Sequence, residues 1–369
     1  MSPKVRIPLF TLCALNAAIP ATAGDLRESL AVPADAKSAP QITAPETASR
    51  WRIGAGYAPV LGLEAKFGGL GRFRSPFSPQ PLGGGTDYDY DDGFVHVDSS
   101  GNLGGLTWNW GYQHDSQYNP SGNGSIAMSI TNSLATGSTD ERGAAENGWE
   151  VFGYYDMGRL AFAPFKAAPV GWGFCGGLQY ARVNLGNGDS LATALVTTTD
   201  HFGLGGEVPP SAPYEGTYYG PGVLLDDAPT RTTTIGGQGL VVGSRELDAD
   251  LFITRFVGYL EAPVTGKFSL MAEAGLNLGI ASGSYEFHSA TTVAGLGTQQ
   301  SHGSDSTTSL LPGVYAGLSG LYRLDDHWSV QGGARYQYLK PFELGANGSD
   351  ATLSFDQAFV LSLNVVYSF

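Results

Sequence analysis

The sequence predicts an all-β protein whose antiparallel strands close into a transmembrane β-barrel. Three observations lead to this prediction. Apolar and polar residues alternate with a period of two in many segments, beginning with the one from Trp51 to Phe67. Most segments reach the roughly 9 to 11 residues that a tilted transmembrane strand needs, against about 5 to 6 in soluble sheets. Aromatic residues such as Trp149 and Trp328 stand near segment ends, where a membrane barrel places its aromatic girdles.

Composition agrees with this class and excludes others. The 369 residues include 53 Gly, 18 Tyr and 18 Phe, which suits strands joined by many turns. The formal net charge of −14 argues against nucleic-acid binding, which requires a basic surface. Beyond the N-terminal region no run approaches the roughly 18 apolar residues of a spanning helix, which excludes a helical membrane protein. The residue patterns indicate no cofactor.

The N-terminal segment predicts export. Lys4 and Arg6 precede the apolar run IPLFTLCALNAAIPA, which ends in a small-residue pattern typical of a cleavage site. We therefore predict a signal peptide over residues 1–23. Residues 24–50 are rich in Ala and Pro without a sustained period and predict a flexible lead-in. Residues 51–369 form the predicted barrel.

The alternation predicts about ten strands. The segment near 247–260 is the weakest case, because Arg255 interrupts one of its faces. Eight or twelve strands stay open as alternatives, since 94–98, 159–166 and parts of 187–246 also have strand character. The ten predicted strands are 51–67, 105–117, 124–134, 148–158, 171–185, 247–260, 266–284, 309–323, 327–340 and 353–369.

The connectors predict two different ends of the barrel. Short connectors such as EAPVTGK and RLDDH alternate with long ones rich in Gly, Ser, Thr and Asp. Long and short connectors therefore lie at opposite ends of the strands. The longest, 187–246, combines Pro, Gly, Thr and Tyr, and such a loop either contacts an extracellular ligand or shields the mouth of the barrel.

The last strand carries a more specific pattern. In ATLSFDQAFVLSLNVVYSF, apolar residues alternate back from Tyr367, and the chain ends in Phe369. This segment resembles the terminal strand of bacterial outer-membrane β-barrels, which end in an aromatic residue that the barrel assembly machinery recognises. The resemblance covers about residues 51–369 as architecture. It implies a Gram-negative outer-membrane protein in contact with lipid, with Phe369 and Tyr367 as its assembly signal. Both termini and the short turns are then periplasmic, and the long loops are outside.

The inward faces of the predicted strands carry charges of both signs. A barrel of about ten strands is only modestly wider than one of eight, whose side chains nearly fill the interior. We therefore predict a neutralising charge network that plugs the lumen, with a narrow path for ions or small solutes as the alternative. The predicted lumen network consists of Arg52, Glu64, Lys66, Glu150, Asp156, Glu273, Arg323 and Arg335.

These patterns predict a non-catalytic protein with a structural or surface-contact role. A passive pore is the second hypothesis. An enzyme ranks third. Its support is that the adjacent His288 and Ser289 resemble the His/Ser pair of outer-membrane lipid A deacylases. That resemblance departs from the spacing of the family and lacks its usual Asn.

The acidic stretch DYDYDDGFVHVD predicts an outer loop and only weakly a calcium site. Asp87, Asp89 and Asp91 match the first, third and fifth positions of an EF-hand loop, and Asp98 matches the twelfth. The sixth position requires Gly, and Asp92 stands there instead. An acidic loop with loose affinity for divalent cations is the preferred interpretation.

Overall fold

The computed structural model describes residues 41–43, 50–161 and 169–369, and the regular secondary structure of these residues is almost entirely β-strand. The predicted signal peptide lies outside the described residues. Within the predicted lead-in, residues 41–43 form a short strand, which the prediction of a flexible segment did not include. No described helix is long and apolar enough to cross a bilayer.

The described strands are mostly short in the N-terminal half of the chain, and the longest lie in the C-terminal half. Two single 3₁₀ turns, Leu103–Gly105 and Asp115–Gln117, lie between the short strands. In chain order the strands are β1 (Gln41–Thr43), β2 (Trp51–Tyr57), β3 (Val60–Leu61), β4 (Glu64–Leu70), β5 (Tyr88–Tyr90), β6 (Gly93–Val95), β7 (Leu106–Thr107), β8 (Trp110–Tyr112), β9 (Tyr118–Asn119), β10 (Ser125–Ser133), β11 (Gly137–Arg142), β12 (Gly148–Ala161), β13 (Val170–Asn187), β14 (Leu191–Gly203), β15 (Tyr214–Glu215), β16 (Leu225–Asp226), β17 (Thr230–Pro263), β18 (Phe268–Val293), β19 (Gly297–Arg323), β20 (Trp328–Leu339), β21 (Phe342–Ala346), β22 (Ser349–Ser354) and β23 (Phe359–Ser368).

Eight of these described strands form a closed ring of antiparallel ladders. Following the pairs from β2, the order is β2, β12, β13, β17, β18, β19, β20 and β23, and β23 pairs back with β2. The closing ladder runs from Arg52 opposite Ser368 to Tyr57 opposite Leu363. Consecutive ring strands are neighbours throughout, so the ring is an up-and-down barrel.

The ring contains eight strands, not the ten that the alternation favoured. The predicted strands 105–117 and 124–134 lie outside it: the first is broken into short pieces, and the second is β10, which pairs with β14. Both carry the alternation of a half-buried strand because they pack on a separate core beyond the ring. Periodicity alone does not distinguish that core from a barrel wall.

Two predicted strands are each divided between the ring and another sheet. The predicted strand 51–67 comprises β2 and β3, which both pair with β23, and β4, which lies in another sheet. Pro59 lacks a backbone N–H for the ladder. Gly62 adopts φ +74°, and a Cβ there would lie 2.3 Å from the carbonyl oxygen of Gln357. The predicted strand 353–369 is likewise divided between β22 and β23.

The ring has a short end and a long end. The connectors 264–267 and 324–327 lie at the short end, together with the first residue of β2 and the last of β23. At the long end, β17, β18 and β19 continue well past the ring, and only residues 294–296 separate β18 from β19. The segment 288–308, whose Gly, Ser, Thr and Asp content matches that of the predicted long connectors, is therefore mostly strand. Its Thr- and Ser-rich sequence shows no apolar face, yet its backbone completes a ladder with β18.

Beyond the long end, a four-stranded sheet lies across from the extended parts of β17, β18 and β19. Its order, β11-β4-β22-β21, repeats the order β12-β2-β23-β20 of the ring strands to which these strands connect along the chain. A large cluster of buried apolar side chains joins this sheet to the inward faces of β13, β17, β18 and β19. Phe67 of β4, for example, stacks on Tyr285 of β18 with ring centroids 5.9 Å apart.

A third part of the chain forms its own small core farther from the ring. The sheet β15-β8-β6-β5 packs against β10 and β14 around Trp110, Tyr112, Met128 and Phe202, all fully or almost fully buried. Thus much of the predicted outer-loop sequence forms ordered β-structure.

Candidate functional site

The outer surface of the ring is apolar. Along each ring strand, large apolar side chains point outward at alternate positions and are exposed, while their neighbours point inward and are buried. This pattern is the reverse of a soluble barrel and matches the lipid-facing band of a transmembrane one. The exposed outward set includes Trp51, Ile53, Trp149, Val151, Phe174, Leu178, Phe252, Phe256, Leu260, Leu270, Leu276, Leu278, Ile280, Leu310, Val314, Leu318, Tyr322, Trp328, Phe359, Leu361, Leu363 and Val365.

Inside the ring, Glu150 is the centre of a buried ion cluster. One carboxylate oxygen accepts hydrogen bonds from Arg335 Nη1 at 3.0 Å and Asn364 Nδ2 at 2.9 Å. The other accepts from Arg255 Nη1 at 2.6 Å and Arg335 Nη2 at 2.5 Å. The Glu150 side chain has no exposed surface. Four hydrogen bonds to one buried carboxylate offset much of the cost of removing it from water.

Two further groups extend this cluster toward the short end. Glu273 accepts hydrogen bonds from the hydroxyls of Tyr154 and Tyr315, each at 2.6 Å. Arg52 is paired with Asp156 and Glu261, each at 2.9 Å. We call the set Arg52, Glu150, Asp156, Arg255, Glu261, Glu273 and Arg335 the polar tier.

The polar tier leaves almost no open space. The cavity lined by Glu150, Arg255, Glu273 and Arg335 has a volume of about 10 Å³, which is room for about one water molecule. Toward the long end, the interior is filled by the apolar cluster described above, which we call the apolar tier. Its members on β17 and β18, among them Leu247, Leu251 and Ala281, are almost fully buried.

Five of the eight predicted lumen residues lie in the polar tier: Arg52, Glu150, Asp156, Glu273 and Arg335. The prediction for the other three is corrected. Glu64 and Lys66 belong to β4, which has left the ring, and Glu64 instead pairs with Arg142 at 2.9 Å. Arg323 is exposed at the end of β19.

The sequence reasoning missed Arg255, Glu261 and three tyrosines of the interior. Arg255 was read as an interruption of a face, although Phe252 and Phe256 on the other face already indicated that Arg255 points inward. Glu261 was assigned to a connector, whereas β17 continues to Pro263. Tyr154 and Tyr315 gave no signal, because a tyrosine suits either face of such a strand. Tyr259 stands near a strand end, where a girdle aromatic is expected, but it points inward and is almost fully buried.

The four carboxylates of the candidate calcium loop do not converge. The segment forms a hairpin of β5 and β6, and each carboxylate has a different partner. Asp87 accepts from Val97 N at 2.7 Å, Asp89 lies 2.9 Å from His96 Nε2, and Asp91 accepts from Thr131 N at 2.7 Å. Asp98 accepts from Ser100 N at 2.8 Å. Across the described residues, no group of three metal-ligating side chains is assembled.

The hairpin is instead attached to the sheet beyond the ring. The Tyr90 hydroxyl donates to Asp200 at 2.6 Å, and Arg231 contacts both oxygens of Asp200 at 2.7 Å. Asp200 is completely buried. Burial, together with the hydrogen bond to Asp200, raises the pKa of Tyr90 well above its ordinary value. These contacts fix the acidic hairpin to β14 and β17.

The candidate His/Ser pair is not assembled either. His288 is exposed and lies 2.9 Å from Glu286, whereas Ser289 is buried and its hydroxyl lies 2.9 Å from that of Ser301. Adjacent residues of a strand point to opposite faces, so His288 is not placed to accept a proton from Ser289.

The two residues of the predicted assembly signal lie at the short end. There Tyr367 contacts Phe369 and Trp328, with ring centroids 5.2 and 4.9 Å apart.

Comparison with known proteins finds only distant similarity. No family model and no curated protein matches the sequence. Similar solved structures include Ail, the attachment invasion locus protein of Yersinia pestis, with 10% identity over 86% of this chain and 97% of that chain and a TM-score of 0.23. The outer membrane protease OmpT from Escherichia coli has 9% identity over 88% and 99%, with a TM-score of 0.30. A Pseudomonas aeruginosa FadL homologue has 9% identity over 86% and 90%, with a TM-score of 0.18.

These TM-scores are too low to carry an argument about fold or activity. The closed ring, its apolar outer surface and its charged interior are the features on which the fold assignment rests. By those features the chain has the fold of a small outer-membrane β-barrel.

Replacing Glu150 should destabilise the protein strongly. Glu150→Gln leaves Arg255 and Arg335 buried without a countercharge, and breaking a buried ion cluster in this way costs about 3–5 kcal/mol. The matched control is Glu286→Gln, whose exposed pair with His288 contributes about 0–1 kcal/mol. Denaturant unfolding of the protein in detergent micelles measures both. A cost for Glu150→Gln equal to that of the control would contradict the assigned role.

Asp92 should make the acidic hairpin less stable as the pH rises. Burial raises the pKa of Asp92 from 3.8 to about 6, although Ser129 N donates to its carboxylate at 2.7 Å. Because the folded state favours the protonated acid, its stabilising contribution is complete below 3.8 and is lost as the pH passes through about 6. Hydrogen exchange of the Ser129 and Thr131 amides measures this.

The variant Asp92→Asn serves as the reference for that measurement. It keeps an oxygen that accepts from Ser129 N and cannot titrate. The exchange protection of the wild type, relative to that of the variant, should therefore fall between pH 4 and pH 6. A difference that does not change with pH would refute the prediction.

Proposed function

We propose that this protein is an integral outer-membrane barrel that does not conduct and that holds a rigid β-structure outside the cell for surface contact. The single observation that carries this proposal is that buried side chains occupy the interior at two successive levels. The polar tier occupies the ring, and the apolar tier closes the side toward the long end. A solute would have to displace both tiers.

The distribution of structure along the chain supports the contact role. The short end consists of brief connectors, whereas most of the remaining sequence forms two sheets and a separate core beyond the long end. A barrel with a purely structural role in the membrane would not need these ordered strands beyond it. Binding residues are commonly carried on such projecting segments above a rigid scaffold. The proposal places the long end outside and both ends of the chain in the periplasm.

The absence of conduction is testable in planar bilayers. The refolded wild type should insert without conductance steps. The triple variant Glu150→Leu, Arg255→Met, Arg335→Met replaces the ion cluster with side chains of similar size, and such replacements are often neutral or stabilising. It should remain silent too, because the apolar tier is intact. Stepwise currents from correctly folded wild type would favour the alternative of a narrow pore.

The orientation is testable by thiol labelling of whole cells. Cys175 is fully buried and should give no background. Ser121→Cys places a thiol in an exposed turn at the long end, and Asp326→Cys places one at the short end. A membrane-impermeant maleimide should label the first in intact cells and the second only after the outer membrane is permeabilised. The reverse pattern, or labelling of both in intact cells, would overturn the proposed placement.

A further inference from the structure

We propose that the edge of β19 beyond the ring takes up an extended polypeptide segment that carries lysine or arginine side chains, as an added strand. This inference deepens the proposed contact role and rests on it. It names the surface that makes the contact and the chemical class of its partner.

One edge of β19 is free over half its length. β19 pairs with β18 from Gly297 to Tyr322, but with β20 only from Gly313 to Arg323. After Leu339 the chain of β20 turns inward toward β21, and the last backbone–backbone hydrogen bond to β19 is the one from Lys340 N to Pro312 O at 3.0 Å. In the described part of the chain, residues 298–311 have no ladder partner on this side. We call this stretch the free edge.

The free edge exposes a regular row of backbone groups. Pro312 O and His302 O both face the open side, since they accept from Lys340 N and, at 2.6 Å, from Asn347 Nδ2. Backbone groups alternate in direction along a strand. The N–H and C=O groups of Ser304, Ser306 and Thr308 therefore face the same open side. An incoming strand bonds to such a row by main-chain hydrogen bonds, independently of its sequence.

An acidic cleft lies directly beside the free edge. Its volume is about 600 Å³. Three carboxylates and two hydroxyls line it, and none of the carboxylates has a cationic partner among the described residues. Asp305 Oδ2 accepts from Gly345 N at 3.0 Å, which bridges β19 to β21 across the cleft. The polar lining groups are Asp305, Thr307, Glu343, Asp350 and Thr352.

The charge of the cleft determines which strand fits. Sheet edges are commonly protected by charged side chains that a wrong partner cannot accommodate, and Asp305 is such a charge here. A lysine or arginine on the added strand would complement Asp305, Glu343 and Asp350. Lys66, on the neighbouring strand β4, lies 3.5 Å from Glu64 and is not paired with these three carboxylates.

A second copy of the chain fits less well. It would bring the same three carboxylates against this cleft, and like charges opposite each other destabilise a strand pair. The formal net charge of −14 adds to that repulsion. Charge complementarity therefore selects a basic partner over self-association.

The test measures peptide binding to the full-length protein folded in lipid nanodiscs. The probe is a nine-residue peptide of alternating lysine and threonine with blocked termini. Two matched peptides carry glutamate in place of lysine, or N-methyl groups on alternate residues that remove the backbone donors. The lysine peptide should saturate, and both matched peptides should bind at least about tenfold more weakly.

Two pairs of variants separate the backbone contribution from the charge contribution. Ser306→Pro removes an edge N–H without affecting the ladder with β18 and should weaken binding at least about tenfold. Ser306→Ala keeps that N–H and should bind like wild type. The double variant Glu343→Gln, Asp350→Asn should weaken binding and reduce its salt dependence. Asp326→Asn, at the short end, should change neither.

Several outcomes would overturn the proposal. They are no saturation by the lysine peptide up to about 1 mM, equal binding of the N-methylated or glutamate peptide, or unchanged binding by Ser306→Pro. A wild-type dimer that Ser306→Pro dissociates would identify a second copy as the occupant and also overturn it. Conductance and thiol labelling of the same samples test the proposed function separately, so the two failures are distinguishable.

Discussion

The structure depends on the closure of one backbone ladder, between the first ring strand β2 and the last, β23. A membrane interior offers no hydrogen bonds, so every strand edge there must be paired. The six residue pairs from Arg52–Ser368 to Tyr57–Leu363 supply that closure. With the ring closed, successive side chains can only point to lipid or to the interior. The apolar outer surface and the charged interior are two results of the same geometry.

The interior then has to be filled in two different ways. Within the ring, side chains of opposite charge neutralise each other around Glu150 with little space for water. Beyond the ring, the walls separate at the bends after Leu61 and Leu339 and carry apolar side chains that meet in a core like that of a soluble protein. The bends thus divide one continuous set of strands between a membrane environment and an aqueous one.

The ring could be predicted from sequence because its alternation is strong, and all eight ring strands were anticipated. Its exact membership could not, since the alternation of β10 arises from packing on another core. The polar part of β19 beyond the ring was not predicted, because its stability comes from backbone pairing, which leaves no apolar pattern in the sequence. In the interior, Glu64 and Lys66 were misplaced because a break at Pro59 and Gly62 transfers all later residues to a different sheet.

The length of β18 and β19 has a consequence for reach. Their 26 and 27 residues extend for roughly 85 Å at about 3.3 Å per residue. With a tilt of about 40°, the hairpin rises roughly 65 Å, of which the apolar band of the membrane accounts for about 25 Å. A flexible loop of equal length would collapse toward the membrane surface. The paired strands instead form a rigid hairpin that holds its turn tens of ångströms from the lipid.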